Sequence, residues 1–383
     1  MLEGFCVHYL DNAATTRVAD EVADAATRVL RDQFFNPSSL YAPAARAEEL
    51  IEASRAIVAD SLGAKPAEVF FTSGGTESNN MAILGALRAR EAWAEHVVVT
   101  GFEHPSVHNT VKAMEKHGWR VTFIAPNTAG QVDLNALAHA VGTKTALCAC
   151  IHVNNEIGTV LDVAALAREV KAKNSRTAVH VDGVQAWCRL PFKVGATMID
   201  TYSVSGHKIH APKGVGALYV RRGFYTEPLM FGGEQEKGMR PGTQNTPYIA
   251  ALGKAVQLVQ ADKGRAERVR TLNRRLWSAL ESMEGIVRNS PENAVDEIAN
   301  FSVLGIRSEI MLHFLESKGI YVSSGSACAK GEASHTLTAM GLPKARVDSA
   351  IRVSFSGQSQ NSDVDALVRA LKEGMETLEK VKK

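Results

Sequence analysis

Short apolar runs rich in β-branched residues alternate in the first part of the chain with longer stretches whose apolar residues recur at helical spacing. The runs cover residues 68–72, 96–100, 120–125, 145–151, 178–182, 200–205 and 216–220. Because these runs are apolar nearly throughout, they predict buried strands. The stretches between them, such as 77–90, 105–117 and 162–173, predict helices. The alternation predicts an α/β fold with a mostly parallel seven-stranded sheet covered by helices.

The pattern changes near residue 247. A long helical pattern runs from Pro247 to about Glu284, and fewer strands follow, separated by helices. Strands are expected near 298–304, 319–323 and 350–355, and helices near 307–317 and 361–380. We therefore predict a large α/β domain over 15–247 and a smaller α+β domain formed by 1–14 and 248–383.

Composition narrows the class of partner. The chain has 383 residues, of which 43 are basic and 41 acidic, with a net charge of +2 and no block of Lys and Arg. A nucleic-acid partner is therefore not indicated, and a small molecule or a protein is expected. No run of about 18 apolar residues and no leader pattern occurs, so we expect a soluble, cytoplasmic protein without a membrane partner.

The cysteines argue against a disulfide framework and a structural zinc site, because they are odd in number and form no CxxC pair. They are Cys6, Cys148, Cys150, Cys188 and Cys328. Cys328 stands apart, since its surroundings, VSSGSACAKG, offer almost no apolar side chain to bury it. Such a stretch is expected to form a mobile loop, whereas the other four cysteines are expected to be small buried residues.

Three segments carry candidate chemistry at predicted strand ends. TSGGTESNN (72–80) is typical of a strand-to-helix turn that binds a phosphate, although an ordinary capped turn fits equally well. HVDGVQAW (180–187) places Asp182 where it could hold a protonated ring nitrogen or cap the next turn. YSVSGHKIHAPKG (202–214) carries Lys208, a possible Schiff-base nucleophile. Together they are the parts needed to hold pyridoxal phosphate.

Ten segments occur in the order found in cysteine desulfurases of the class V aminotransferase group, which are fold-type I pyridoxal-phosphate enzymes. The chain therefore resembles this family, of the NifS/IscS type, from residue 10 to about 356. The segments are LDNAATT (10–16), NPSS (36–39), TSGGTESNN, EHPSV (103–107), HVNNEIGT (152–159), VDGVQ (181–185), SGHKIHAPKG (205–214), RPGTQN (240–245), SSGSACA (323–329) and IRVSFS (351–356).

The resemblance implies pyridoxal 5'-phosphate as the cofactor and assigns its binding residues. Lys208 would bind its aldehyde and later move the α-proton, Asp182 would pair with the ring nitrogen, and His104 would stack on the ring and relay protons. The other implied cofactor-binding residues are Gln185 at the phenolic oxygen, Gly75, Thr76, Ser205 and His207 at the phosphate, Asn155 near the cofactor oxygen, and Thr243 at the phosphate of a partner subunit. The role of Thr243 implies a homodimer.

For the L-cysteine substrate, the resemblance implies that Arg352 grips the α-carboxylate, with Asn36 and Asn155 assisting. Read without it, Arg352 is an ordinary charge at a strand edge. Cys328 would attack the substrate sulfur, giving L-alanine and an enzyme persulfide. The persulfide would pass sulfur to an acceptor protein for iron–sulfur cluster assembly or thiolation. Transient iron ligation by Cys328 is a separate hypothesis.

Two departures limit what the resemblance implies about partners. Ala211 stands where the family often has glycine, and the chain after Cys328 reads AKGEASHT instead of the family's usual continuation. The form SSGSAC is similar to the group of desulfurases with a long cysteine loop. Alternative hypotheses are a selenocysteine lyase or cysteine-sulfinate desulfinase, a cofactor-free scaffold or regulator, and a nucleotide-binding module, although no GxGxxG or GxxxxGK[ST] stands at an early strand-to-helix turn.

Overall fold

The computed structural model describes residues 7–324 and 333–379. Its strands are β1 (His8–Tyr9), β2 (Val69–Thr72), β3 (His96–Thr100), β4 (Arg120–Ile124), β5 (Thr145–Ile151), β6 (Ala178–Asp182), β7 (Thr201–Ser205), β8 (Gly216–Val220), β9 (Ile286–Arg288), β10 (Ile298–Val303), β11 (Ile320–Tyr321) and β12 (Ala350–Ser354). Cys6 and Cys328 lie outside the described residues, and so does most of the predicted cysteine loop.

The helices in the described residues are α1 (Asp20–Asp32), α2 (Ala42–Leu62), α3 (Gly75–Arg88), α4 (Pro105–Glu115), α5 (Leu134–His139), α6 (Val163–Lys173), α7 (Thr246–Ala261), α8 (Arg265–Leu280), α9 (Ser308–Ser317), α10 (His335–Ala339), α11 (Lys344–Val347) and α12 (Asn361–Thr377). None of them is both long enough and apolar enough to cross a bilayer. Single 3-10 turns occupy Pro66–Glu68, Val194–Ala196, Gly206–Lys208 and Gln235–Gly238.

The large sheet contains all seven predicted strands in the order β2-β8-β7-β6-β5-β3-β4. Its pairs are parallel except where β8 lies antiparallel to β2 and to β7. Alternate residues of β5 enter different cores, Cys148 with helices α1, α2 and α7, and Leu147 with α3 and α4. This burial on both faces explains the continuous apolar runs, and the predicted α/β fold is confirmed.

The small sheet has the antiparallel order β12-β10-β9, and a separate core packs it against α8, α9 and α12. The N-terminal strand β1 pairs in parallel with β11, and Leu10 enters this smaller core. Helix α7 packs its buried residues, among them Leu252, into the core of the large sheet. The domain limits 15–247, with 1–14 and 248–383 in the second domain, stay a prediction.

One predicted helix is two helices. The pattern from Pro247 to about Glu284 breaks between α7 and α8, where Asp262 adopts φ −79° and ψ 78° and Gly264 caps α8. Asp and Gly both favour such positions, Asp because its carboxylate competes for local hydrogen bonds and Gly because it pays more backbone entropy in a helix. The Asp262 carboxylate accepts from Arg268 Nη2 at 2.5 Å across the break.

Candidate active site

Several predicted site residues, among them Asn155, Asp182 and Lys208, lie just beyond or at the carboxyl ends of β5, β6 and β7, where open α/β sheets bind ligands. Lys208 ends the 3-10 turn Gly206–Lys208 that follows β7. Its Nζ donates hydrogen bonds to the carbonyl oxygens of Ala13 at 2.6 Å and Ala14 at 2.7 Å. The N-terminal segment therefore holds the amine at the strand ends.

Burial, with lesser help from the positive charges of Arg189 and Arg352, lowers the pKa of Lys208 to about 7. The carboxylates of Asp11 and Asp182 oppose this shift without cancelling it. A sizeable fraction of the amine is thus uncharged near neutral pH. An uncharged amine is the form that attacks an aldehyde and the form that accepts a proton.

Asp182 is the last residue of β6 and is only 3% exposed. Its Oδ2 accepts from Asn79 Nδ2 at 2.8 Å, and its Oδ1 accepts from the backbone N–H of Val184 at 3.0 Å. The carboxylate therefore caps the following turn, as one of the two interpretations of the sequence held. Each oxygen keeps a lone pair that a protonated ring nitrogen can use.

Gln185 lies on that turn and donates from Nε2 to the carbonyl oxygen of Ala13 at 2.8 Å. Its Oε1 accepts from Arg189 Nη1, and Arg189 Nη2 also reaches the carbonyl oxygen of Lys208 at 3.3 Å. Burial lowers the pKa of Arg189 to about 10, so the guanidinium stays charged at neutral pH. Arg189 was not predicted, although its position four residues after Gln185 was a signal that could have drawn attention to it.

The start of α3 forms a cradle for an anion. Gly74 precedes the helix at φ 146°, a conformation that L side chains rarely adopt. A Cβ atom on Gly75 would lie 2.7 Å from a methyl group of Val184, and one on Gly74 would lie 3.5 Å from Ser205 Oγ. Thr76 is exposed in the first turn of the same helix. These small residues bring the unpaired N–H groups of the helix start beside the Ser205 hydroxyl.

His207 stands at the same end of the sheet, where its Nδ1 lies 3.2 Å from Thr15 Oγ1. Burial, reinforced by the positive charge of Lys208, lowers the pKa of His207 to about 3. The imidazole is therefore neutral and offers a phosphate a hydrogen bond, not a charge.

His104 precedes α4, where its Nδ1 accepts from the backbone N–H of Ser106 at 3.1 Å. Ser106 Oγ lies 2.8 Å from the same nitrogen. Burial lowers the pKa of His104, and the charges of Asp182, Lys208 and Glu156 also act on it. The ring thus belongs to the same electrostatic site as Lys208 and Asp182.

Arg352 reaches the site from β12 of the small sheet and is 1% exposed. Its Nη1 donates to the carbonyl oxygen of Asn155 at 3.0 Å, and its Nη2 lies 2.7 Å from Asp11 Oδ1. Asn155 is thus tied to Arg352 through its backbone. The interpretation of Arg352 as a surface charge is wrong, because the side chain is buried and points to the site.

Two predicted residues lie apart from this cluster of contacts. Asn36 is exposed, and its Oδ1 caps its own turn by accepting from the N–H of Ser38 at 3.0 Å. Thr243 is exposed in the loop before α7. Their assigned roles stay predictions, as does that of Cys328, which lies outside the described residues.

Sequence reasoning also missed Asp11, Asn79 and a neutral acid below the site. Glu103 is 3% exposed, and its Oε1 accepts from the N–H of Ile151 at 2.7 Å and from the Thr100 hydroxyl. Burial raises the pKa of Glu103 to about 8. The carboxyl therefore holds its proton at neutral pH.

The residues present fit pyridoxal phosphate. An amine with a lowered pKa, a buried carboxylate and a helix start whose glycines leave room for an anion meet at one end of the sheet. The amine suits the aldehyde, the carboxylate suits a protonated ring nitrogen, and the helix start suits the phosphate.

The model of the class-V aminotransferase family matches residues 8–367. The chain belongs to this family, among its cysteine desulfurases. A protein of Trichormus variabilis named cysteine desulfurase 2 is 39% identical over 371 residues, covering 95% of this chain and 92% of that protein. A solved structure called a NifS-like protein superposes with a TM-score of 0.92 at 34% identity, covering 97% of this chain and 100% of the other.

A further family member, described as SspA in complex with cysteine, superposes with a TM-score of 0.82 at 34% identity over 92% of this chain and 100% of that one. These comparisons confirm the predicted resemblance, the prediction of an enzyme and the predicted cofactor, pyridoxal phosphate. They also confirm the prediction of cysteine desulfurase activity over the hypothesis of a cofactor-free scaffold.

Proposed function

We propose that this family member removes sulfur from L-cysteine at the site built around Lys208 and leaves the sulfur as a persulfide on Cys328. The observation that carries the proposal is the Lys208 amine, whose pKa burial lowers to about 7, with Asp182 at the end of β6 and Arg352 in β12 both acting on it. Pyridoxal phosphate, when bound, supplies an electron sink for bonds at the substrate's α-carbon. The residues of the chain then bind, orient and move protons.

The reaction balances without an outside oxidant. The Cys328 thiolate attacks the substrate sulfur, an S–S bond forms, and the C–S bond of the substrate breaks with its electron pair left on carbon. That carbon takes one proton and becomes the methyl group of L-alanine. The sum is L-cysteine plus enzyme thiol giving L-alanine plus enzyme persulfide, so the sulfur changes carriers.

Arg352 and Lys208 have separate tasks in this proposal. The guanidinium fork of Arg352 binds the substrate α-carboxylate through two parallel hydrogen bonds. Lys208 would accept the α-proton of the substrate, because a sizeable fraction of its amine is uncharged near neutral pH. His104 donates or accepts protons on the ring face of the cofactor, with its Nδ1 held by Ser106.

The exposed apolar side chains support a homodimer. Phe34, Leu40 and Phe231 are 70%, 104% and 84% exposed. Residues 37–38 and 234–237 line one cleft of about 650 Å³. The chain segment of Phe34 and Leu40 therefore lies close to the segment of Phe231. Exposed aromatic and aliphatic groups in such number are typical of a surface that a partner covers. We propose that a second copy covers them.

Thr243 flanks this surface, since its neighbour Gln244 lines the same cleft. In a dimer Thr243 would then reach the phosphate of the partner subunit, as the family resemblance implies. Arg240, three residues earlier, forms an ion pair with Glu77 of the α3 first turn at 2.8 Å. That pair holds the Thr243 loop near the α3 helix start of its own chain.

We further propose that an acceptor protein takes the sulfur from Cys328 in the cytoplasm, for iron–sulfur cluster assembly or thiolation. The cysteines that the structure describes, Cys148, Cys150 and Cys188, are free thiols, as a reducing compartment requires. Transient iron binding by Cys328 stays a hypothesis. In the described part of the chain, no group of three or more His, Cys, Asp or Glu could hold a metal ion.

Alanine release from L-cysteine tests the proposal. Cys328→Ala is expected to lose alanine formation and to keep the visible absorption of the bound cofactor. Cys188→Ala is the matched control, because burial raises the pKa of Cys188 to about 12 and leaves little thiolate. Alanine formation at the full rate by Cys328→Ala would show that the persulfide step is wrong.

A further inference from the structure

A buried asparagine connects the two groups that face the cofactor ring. Asn79 lies on α3 and is 1% exposed. Its Nδ2 donates to Asp182 Oδ2 at 2.8 Å and to Ser106 Oγ at 2.8 Å. Its Oδ1 lies 3.0 Å from His180 Nε2. Both hydrogens and the oxygen of the amide are therefore engaged.

The chemistry of the neighbours fixes the orientation of this amide. If the amide were rotated by half a turn, its oxygen would face the carboxylate of Asp182 and leave two buried acceptors opposed. With the nitrogen toward Asp182, the oxygen must accept from His180, which then carries its proton on Nε2. Thr201 Oγ1 lies 2.9 Å from His180 Nδ1 and donates to that unprotonated nitrogen. Every partner of Asn79 thus has a defined donor or acceptor role.

The same hydrogen bonds fix the imidazole of His104. Asn79 donates to Ser106 Oγ, which leaves the Ser106 hydroxyl free to donate to His104 Nδ1. The backbone N–H of Ser106 donates to the same nitrogen. Two donors on Nδ1 exclude a proton there, so neutral His104 carries its proton on Nε2.

We infer that Asn79 is a positioning residue that holds the Asp182 carboxylate toward the ring nitrogen of the cofactor and, through Ser106, holds His104 with its proton on Nε2. The inference rests on the proposed roles of Asp182 and His104. It adds the link between them, which joins α3, β6 and the start of α4. The amide acts through these groups and does not touch the substrate.

Asn79→Asp tests the link to Asp182 with almost no change of volume. A second carboxyl at hydrogen-bond distance would share a proton with Asp182 and weaken the negative charge that the ring nitrogen meets. The ring nitrogen then loses its proton more readily, and the nitrogen of Lys208 keeps its own proton to higher pH. The visible absorption of the holoenzyme changes with pH, and the midpoint of that change is expected to rise by about one pH unit. A shift of this size is equivalent to the free energy of one strong hydrogen bond.

Three further variants complete the experiment. Asp182→Asn is expected to raise the midpoint at least as far, and the control Asn80→Asp to leave it in place, since Asn80 bonds the carbonyl oxygen of Thr76 instead of Asp182. Ser106→Ala should keep the midpoint, because the bond from Asn79 to Asp182 survives. In Ser106→Ala the pKa of His104, followed by nitrogen NMR of labelled histidine in the apoenzyme, should rise through loss of a donor to Nδ1.

The dissociation constant of the cofactor gives a second readout in case Asn79→Asp folds poorly. Asn79→Ala, with unchanged circular dichroism, is expected to bind pyridoxal phosphate about tenfold more weakly. If Asp182→Asn moves the midpoint and a folded Asn79→Asp does not, Asn79 has no such role and the assignment of Asp182 stands. If neither variant moves it, the role of Asp182 and the inference are both wrong.

Discussion

Arg352 Nη2 and Asp11 Oδ1 lie 2.7 Å apart in the site, although 341 residues separate them in the sequence. The carboxylate of Asp11 occupies one side of the guanidinium fork that the substrate carboxylate is proposed to use. Arg352 is thus oriented before the substrate arrives. The substrate must share the fork with Asp11 or displace it.

Arg352→Lys tests the contribution of the guanidinium fork separately from that of the positive charge. A lysine keeps the positive charge but cannot make two parallel hydrogen bonds. We expect the KM for L-cysteine to rise about tenfold or more, since a hydrogen bond to a charged group contributes about 1.5–3 kcal/mol. Steady-state alanine formation measures it. Arg369→Lys, on the exposed face of α12, serves as the control, and an unchanged KM in Arg352→Lys would exclude the fork.

Capture of the cofactor by the apoenzyme should depend on pH around 7. Because the pKa of Lys208 is about 7, the uncharged amine increases as the pH rises through 7 and is nearly complete above 8. Stopped-flow mixing of the apoenzyme with pyridoxal phosphate gives the rate. A rate that still climbs steeply between pH 9 and 10 would indicate an unshifted lysine.

Asp11→Asn should move that pH profile to lower values. The negative charge of Asp11 raises the pKa of Lys208, so its removal lowers the pKa. The same stopped-flow measurement applies. Asp24→Asn, an exposed carboxylate of α1, should leave the profile in place. A shift to higher pH in Asp11→Asn would contradict the sign of this interaction.

Glu103→Gln should change how stability depends on pH. Glu103 holds its proton to about pH 8 in the folded protein. In the unfolded chain it loses the proton near pH 4.3, so folding binds a proton between the two values and stability falls as the pH rises through them. Glutamine cannot ionise. The free energy of unfolding of the variant, measured with urea relative to that of the wild type, should therefore be higher at pH 8 than at pH 5.

Glu91→Gln, on the surface, is the control for this comparison. Its stability relative to the wild type should be the same at both pH values. An equal stability difference at the two pH values for Glu103→Gln would show that Glu103 is ionised in the folded protein.

Buried neutral histidine should make the protein sensitive to acid. Burial lowers the pKa of His152 to about 4, and its Nδ1 lies 2.8 Å from the Tyr202 hydroxyl. The unfolded chain takes up a proton near pH 6.5, so the stability from this residue is lost as the pH falls from 6.5 through 4. From pH 7 to pH 5 the loss is about 2 kcal/mol.

Urea unfolding of His152→Gln at both pH values measures this contribution. The variant should lose about 2 kcal/mol less than the wild type between pH 7 and pH 5. His313→Gln, whose ring is 81% exposed, should follow the wild type. An acid loss in His152→Gln as large as in the wild type would assign the sensitivity to other groups.

The seven strands of the large sheet could be predicted because each is buried on both faces and reads as an apolar run. The helices α1 and α2 were not predicted. Helix α2 is rich in alanine, and it buries small residues such as Ala44 and Ala47 that stand out little in a pattern of hydrophobicity. The break at 262–264 was missed because the apolar spacing continues across it.

In the site, residues at strand ends could be located from the sequence, as Lys208 and Asp182 were. Their partners could not, because contacts such as Asn79 with Asp182 span 103 residues and no local pattern records them. Asp11 became apparent only through the fold, which brings its negative charge and the positive charge of Arg189 close enough to Lys208 to act on its pKa.

The central claim is that sulfur leaves L-cysteine as a persulfide on Cys328. Mass spectrometry of the holoenzyme after one equivalent of L-cysteine, with alanine counted in the same sample, measures this directly. One added sulfur atom on the peptide that contains Cys328, matched by one alanine, is the predicted result. Alanine without added sulfur on that peptide, or added sulfur on Cys188 instead, would contradict it.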